Sequence, residues 1–123
     1  MPILEHMYPE RLLEHFRNPR NVGELGPPAV AVEASNPACG DVLRLWARVE
    51  RGVAVEVRYK VRGCTASIAA GSALTEWLRG KTREEIAAFG TEMIEEALGG
   101  LPAASKHAAG LCAEGVRALL AAW

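Results

Sequence analysis

The residues of this chain that could bind a soft metal or move sulfur gather at a few points. Cys39 and Asp41 stand in the run Asn36-Pro37-Ala38-Cys39-Gly40-Asp41, Cys64 directly follows Gly63, and His107 follows a loop further on. Two thiolates, a carboxylate and an imidazole make a complete four-ligand set for zinc or an iron–sulfur unit. None of them forms a C-x-x-C pair, so the spacing also fits a plainer reading. In that reading Cys39 and Cys64 are small buried residues at loop junctions, and His107 is an exposed histidine at a helix end. Asp41 is the single aspartate among fifteen acidic residues. The three cysteines are an odd number that cannot all pair internally, and without an export leader such thiols serve as ligands, reactive groups or core filler. Cys112 shares a helical face with Ala108, Val116 and Leu119, which is core spacing, and is kept as a further candidate ligand. His6 and His15 carry no metal reading.

The hydropathy pattern supplies the elements that must position these groups. Tyr8–Phe16 reads as a short helix with Pro9 in a permissible first-turn position, and Asn18–Gly26 reads as loop. A short strand is expected around Ala29–Glu33. Asp41–Val49 alternates with Leu43, Leu45, Ala47 and Val49 on one face. Val53–Val61 alternates with Val53, Val55, Val57, Tyr59 and Val61 facing in. Glu50-Arg51-Gly52 joins the two runs as an antiparallel hairpin. In a hairpin the start of one strand lies beside the end of the next, so Cys39 and Asp41 should neighbour Cys64.

After Gly63 the period changes from strand to helix. Thr65–Leu78 reads as a helix packed against the sheet, with Cys64 at its N-terminus, where the macrodipole favours an anionic sulfur. Lys60 and Arg62 would reinforce that if they face the sulfur. Thr82-x-x-Glu85 is a capping-box pattern opening a helix with Ile86 and Phe89. Glu92–Leu98 is a further helical piece, and Ser105 is placed to cap a last helix reaching about Ala122. Helix, strands, then helices make an α+β fold: an antiparallel sheet of about three strands, covered on one face by helices.

The 123 residues, of which half are hydrophobic, suit one domain spanning 1–123 with a real core. A net charge of −1 gives no general field for gripping nucleic acid or an anionic membrane. The longest structured stretch without charge, Thr65–Thr75, falls far short of the roughly 20 residues that span a bilayer. A cytoplasmic protein without nucleic-acid or membrane partners is expected.

Several motifs in one order resemble the U-type iron–sulfur cluster assembly scaffolds, the IscU/NifU/SufU group. They are Asn18-Pro19-Arg20-Asn21-Val22-Gly23, Pro37-Ala38-Cys39-Gly40-Asp41, Gly63-Cys64 with the following Thr65–Gly80, and Leu101-Pro102 before His107. The resemblance covers about Tyr8 to Ala122. It implies a scaffold more than an enzyme. Such a protein receives sulfur from a cysteine desulfurase and iron from a donor, and holds a transient two-iron two-sulfur cluster. It then passes the cluster to apo-protein or carrier acceptors. It implies Cys39, Asp41, Cys64 and His107 as ligands, with Cys39 and Cys64 as the sulfur-reactive residues. Aspartate in place of a fourth thiolate would make the site easier to release.

Two positions depart from the pattern. The family's third cysteine follows the histidine, where this chain has Ala108; Cys112 lies one turn further, about 6 Å along the axis. The loop Leu101-Pro102-Ala103-Ala104-Ser105 lacks the family's Leu-Pro-Pro-Val-Lys motif, which implies no handling by a dedicated DnaK-like chaperone. The alternative function is a zinc-binding sulfurtransferase partner of a cysteine desulfurase. The insertion usual in that subfamily is absent.

Overall fold

The computed structural model describes residues 7–36 and 40–123. Cys39 and His6 therefore lie outside the described residues. Among the described residues, eight elements and one short 3-10 turn follow in order. They are α1 (Glu10–Arg17), β1 (Val30–Ser35), β2 (Val42–Glu50), β3 (Val53–Arg62), α2 (Thr65–Leu78), α3 (Arg83–Ala87), α4 (Thr91–Ala97), a 3-10 turn (Ala103–Ser105) and α5 (His107–Ala122). The strands form one antiparallel sheet in the order β1-β2-β3. Helix α5 packs on β1 and β2, α2 on β3, and α1 on α2. This is the α+β architecture expected from the pattern. Among the described residues no helix is long and apolar enough to cross a membrane.

The hairpin is set by its turn. Arg51 and Gly52 both take positive φ, 53° and 77°, the conformation that lets a two-residue turn follow the twist of the strands. Val42 then pairs with Arg62, so Asp41 reaches the sheet edge beside Gly63. Leu43, Leu45, Val57 and Tyr59 enter the core. Near the turn the alternation misleads. A bulge between Arg48 and Val49 sets Val49 opposite Ala54, leaving Val55 as the extra residue. Ala54 is fully buried, while Val53 and Val55 are only partly covered. An unpaired residue shifts every side chain before it to the other face.

Helix α2 is buried on most of its circumference, and small residues let it lie close to the sheet. At Gly71 an added Cβ would stand 2.5 Å from Cδ2 of Tyr59. The Tyr59 hydroxyl donates to the Ile68 carbonyl at 2.7 Å, fixing the ring against the helix.

Thr82 and Glu85 form the expected capping box: the Glu85 amide donates to Thr82 Oγ1 at 3.2 Å, and the Thr82 amide to Glu85 Oε1 at 2.9 Å. Thr82→Ala should therefore lower stability by about 1 kcal/mol, read as a shift in urea midpoint at constant slope. An unchanged midpoint would mean that packing of Ile86 alone holds α3. The start of α5 differs from expectation. Ser105 closes the 3-10 turn and is buried, and Lys106 is the residue flanking the helix, with no side-chain cap bond.

Candidate metal centre

Three elements deliver one ligating side chain each. Asp41 immediately precedes β2, Cys64 is the N-cap residue of α2, and His107 is the first residue of α5. Register supplies the first contact, because the pairing of Val42 with Arg62 carries Asp41 alongside the Gly63-Cys64 junction. Packing supplies the second, because α5 lies against both α2 and β2.

Cys64 Sγ lies 3.5 Å from Asp41 Oδ2 and 3.5 Å from His107 Nε2, and His107 Nε2 lies 3.6 Å from Asp41 Oδ2. Among the described residues these three make the cluster in which one ligand atom of each lies within 4.8 Å of the others. Two helices begin at this cluster, and their N-terminal partial positive charge favours anionic donors there.

Asp41 is buried, and burial by itself would raise its carboxyl. Hydrogen bonds from the Ser67 hydroxyl, the Cys64 thiol and the Cys64 backbone amide outweigh that, aided by His107, and hold the carboxyl below its ordinary range. The carboxylate is thus available as an anionic donor at neutral pH. Gly63 makes room for it: a Cβ there would stand 2.5 Å from Asp41 Cγ and 2.8 Å from each carboxylate oxygen.

The described residues on either side of Cys39 are tied to Asp41 and to each other. The Asn36 amide donates to the Asp41 carbonyl at 2.9 Å, and the Gly40 amide to the Asn36 carbonyl at 2.8 Å. Cys39 itself, the remaining candidate ligand, lies outside the described residues.

The other residues singled out in the sequence lie outside this cluster. Lys60 is exposed and bonds Glu24 at 2.8 Å, and Arg62 is exposed. Ala108 is fully buried next to His107. Cys112 sits in the hydrophobic core on α5 and is not part of the ligand cluster. His15 belongs to a polar contact between α1 and α2, its Nδ1 2.8 Å from Ser72 Oγ. Ser67 is the site residue that sequence reasoning missed. It stands three positions after Cys64 on α2, a helical spacing that places the two side chains side by side. That spacing was the available signal.

The Cys112 environment has a measurable consequence. Burial pushes its thiol up to about 12, from an ordinary value near 9. Above pH 9 the unfolded chain loses this proton while the folded chain keeps it. The contribution is therefore complete below pH 9 and falls as pH rises toward 12. Urea unfolding at pH 8 and 10 should show a loss of about 1 kcal/mol in the native sequence that Cys112→Ala lacks. Equal slopes in both proteins would place the thiol in contact with water.

A small α+β domain whose strand end and two helix starts present aspartate, cysteine and histidine together offers a donor set that could hold a metal ion. The chain belongs to the NifU-like N terminal domain family, which it matches over residues 7–123. This bears out the resemblance read from the sequence. It is 36% identical over 115 residues to the iron-sulfur cluster assembly scaffold protein IscU of Azotobacter vinelandii, covering 90% of this chain and 89% of that one. It is 47% identical over 106 residues to the bifunctional protein NifU/MnmA of Rubrobacter xylanophilus, covering 85% of this chain but 22% of the relative. In fold it is similar to the crystal structure of the N-terminal part of a NifU-like protein from Brucella abortus. That match has a TM-score of 0.64 at 19% identity and covers 98% of this chain and 86% of the other.

Proposed function

We propose that this chain is an assembly scaffold for iron–sulfur clusters, taking sulfur from a cysteine desulfurase and iron from a donor. It holds a nascent two-iron two-sulfur cluster as cargo and yields it to an acceptor. The observation that carries this reading is the meeting of Cys64 Sγ, Asp41 Oδ2 and His107 Nε2 from three separate elements. Cys39, on the loop whose ends are tied to Asp41, is the fourth donor. The names of the relatives support the same reading.

The donor set suits a carrier. Thiolate and imidazole match iron, whereas a carboxylate is a harder and weaker partner for it. With Ala108 where a third thiol would stand, sulfur is received on Cys64 or Cys39. At Cys64 the sulfur attacks the outer sulfur of a donor persulfide and forms a new S–S bond. The donor's own S–S bond breaks and its thiolate leaves, while the Cys64 proton passes to His107 Nε2, 3.5 Å away.

A second reading, a zinc-bound sulfur acceptor, is favoured by one feature of the geometry. Around a tetrahedral zinc, with Zn–S about 2.3 Å and Zn–N or Zn–O about 2.0 Å, donors stand about 3.3–3.5 Å apart. The three separations here are 3.5, 3.5 and 3.6 Å.

The test is purification without oxygen, metal analysis, and addition of ferrous iron, cysteine and a cysteine desulfurase while the visible spectrum is recorded. A persistent cluster band supports the scaffold. One zinc per chain and faster desulfurase turnover without a band supports the sulfur acceptor. Neither signal overturns both.

A further inference from the structure

The Asp41 carboxylate is held by a hydrogen bond from a group that lies outside the ligand set. Ser67 is almost fully buried on the first turn of α2. Its hydroxyl donates to Asp41 Oδ2 at 2.5 Å, and its oxygen lies 3.4 Å from Cys64 Sγ. Oδ2 is the same oxygen that faces Cys64 Sγ and His107 Nε2. The carboxylate also lies against Gly63, where even a methyl group would collide with it.

We propose that Ser67 is a positioning residue for the metal-holding site: its hydroxyl locks the Asp41 carboxylate, in the space left by Gly63, so that Oδ2 joins the sulfur and imidazole donors. This rests on the metal-holding reading above. The physical argument is preorganisation. A free carboxylate turns about its side-chain bonds and must be ordered as the metal binds, whereas a hydrogen-bonded one is already aimed. Groups that orient a ligand in this way typically change metal affinity by about 10–100-fold when removed. Ser67 offers no negative charge and acts through Asp41. Its effect must therefore vanish when Asp41 is gone.

The experiment measures zinc affinity by chelator competition in the native chain and in Cys64→Ala, Ser67→Ala, Asp41→Ala and the Ser67→Ala/Asp41→Ala double variant. Native binding that is lost in Cys64→Ala places the metal at this site. Ser67→Ala should then bind about 10–100-fold more weakly, and the double variant should bind like Asp41→Ala alone. Native-like affinity in Ser67→Ala, or equal further weakening in the Asp41→Ala background, overturns the positioning role while the metal site stands. A native chain that binds no zinc and assembles no cluster overturns the metal reading and this inference with it. Alanine is the strongest helix former, so α2 should persist, and a thermal melt of the metal-free variant checks that. A measurement on the unaltered chain guards against a misfolded variant: NMR should show a Ser67 hydroxyl proton protected from exchange and coupled to the Asp41 carboxyl carbon. A freely exchanging hydroxyl proton would overturn the role independently.

Discussion

Cys64→Ala should remove zinc binding and cluster assembly while leaving the fold nearly intact. The sulfur stands 3.5 Å from each of the other two ligand atoms and is the soft donor of the three. Removing it leaves Asp41, His107 and the proposed donor Cys39, a set with one thiolate in place of two and one donor short of a closed tetrahedral site. Affinity for zinc should fall by more than about 100-fold, beyond the range expected for losing an orienting group. The cluster band after reconstitution should disappear with it. Stability should change little. Cys64 is the N-cap residue of α2 but makes no side-chain cap bond, so alanine removes no helix-capping interaction. The thiol is partly exposed, and its truncation opens no core cavity. A urea midpoint close to the native one, together with lost metal, would separate the site from the scaffold that carries it. Retention of zinc or of the band in this variant would place the metal elsewhere and end the reading of this centre.

Much of that centre is legible in the sequence because it depends on pairing and capping, both of which leave local signals. The alternation on either side of Arg51-Gly52 fixes the hairpin, and the hairpin alone carries Asp41 to Gly63-Cys64. The change of period after Gly63 marks α2 at Thr65–Leu78, the same residues the helix occupies. His107 is harder: its approach depends on how α5 crosses the sheet, which no local pattern encodes, so spacing offers it only as a candidate and the family resemblance singles it out. Three features escape for different reasons. The bulge at Val55 is hidden because Val53, Val55 and Val57 alternate as well as an unbroken strand would. Ser105 looks like a cap, but the 3-10 turn ends on it and buries it. Ser67 is hidden because it is one small residue in a run of them, and only the fold shows that its hydroxyl meets Asp41. Cys112 illustrates the opposite case. Its core spacing with Ala108, Val116 and Leu119 agrees with where it sits.

The same glycine-to-alanine change should have opposite signs at two helical positions, and the contrast isolates packing from propensity. Alanine exceeds glycine in helix propensity by about 1 kcal/mol. At Gly110, on α5, an added Cβ meets nothing within 4 Å. Gly110→Ala should therefore stabilise by up to about 1 kcal/mol. At Gly71, on α2, the Cβ would stand 2.5 Å from the Tyr59 ring, against the 3.5–4.0 Å of an ordinary carbon contact. The ring cannot simply swing away. It is buried in the core, and its hydroxyl is held by the Ile68 carbonyl at 2.7 Å on the same helix. Either α2 lifts from β3 or the tyrosine leaves its position and its hydrogen bond. Overpacking typically costs 1–3 kcal/mol, and losing the bond adds about 1 kcal/mol. After the propensity gain, Gly71→Ala should lose about 2 kcal/mol, or roughly 10 °C in Tm for a chain of this size. Because Cys64 is the N-cap of the same helix and Ser67 lies on its first turn, a lifted α2 would also disturb the metal centre. Gly71→Ala should therefore weaken zinc binding, whereas Gly110→Ala should not. Equal melting temperatures for the two variants would mean that α2 does not lie this close to the sheet, and the contact between Gly71 and Tyr59 would then be wrong.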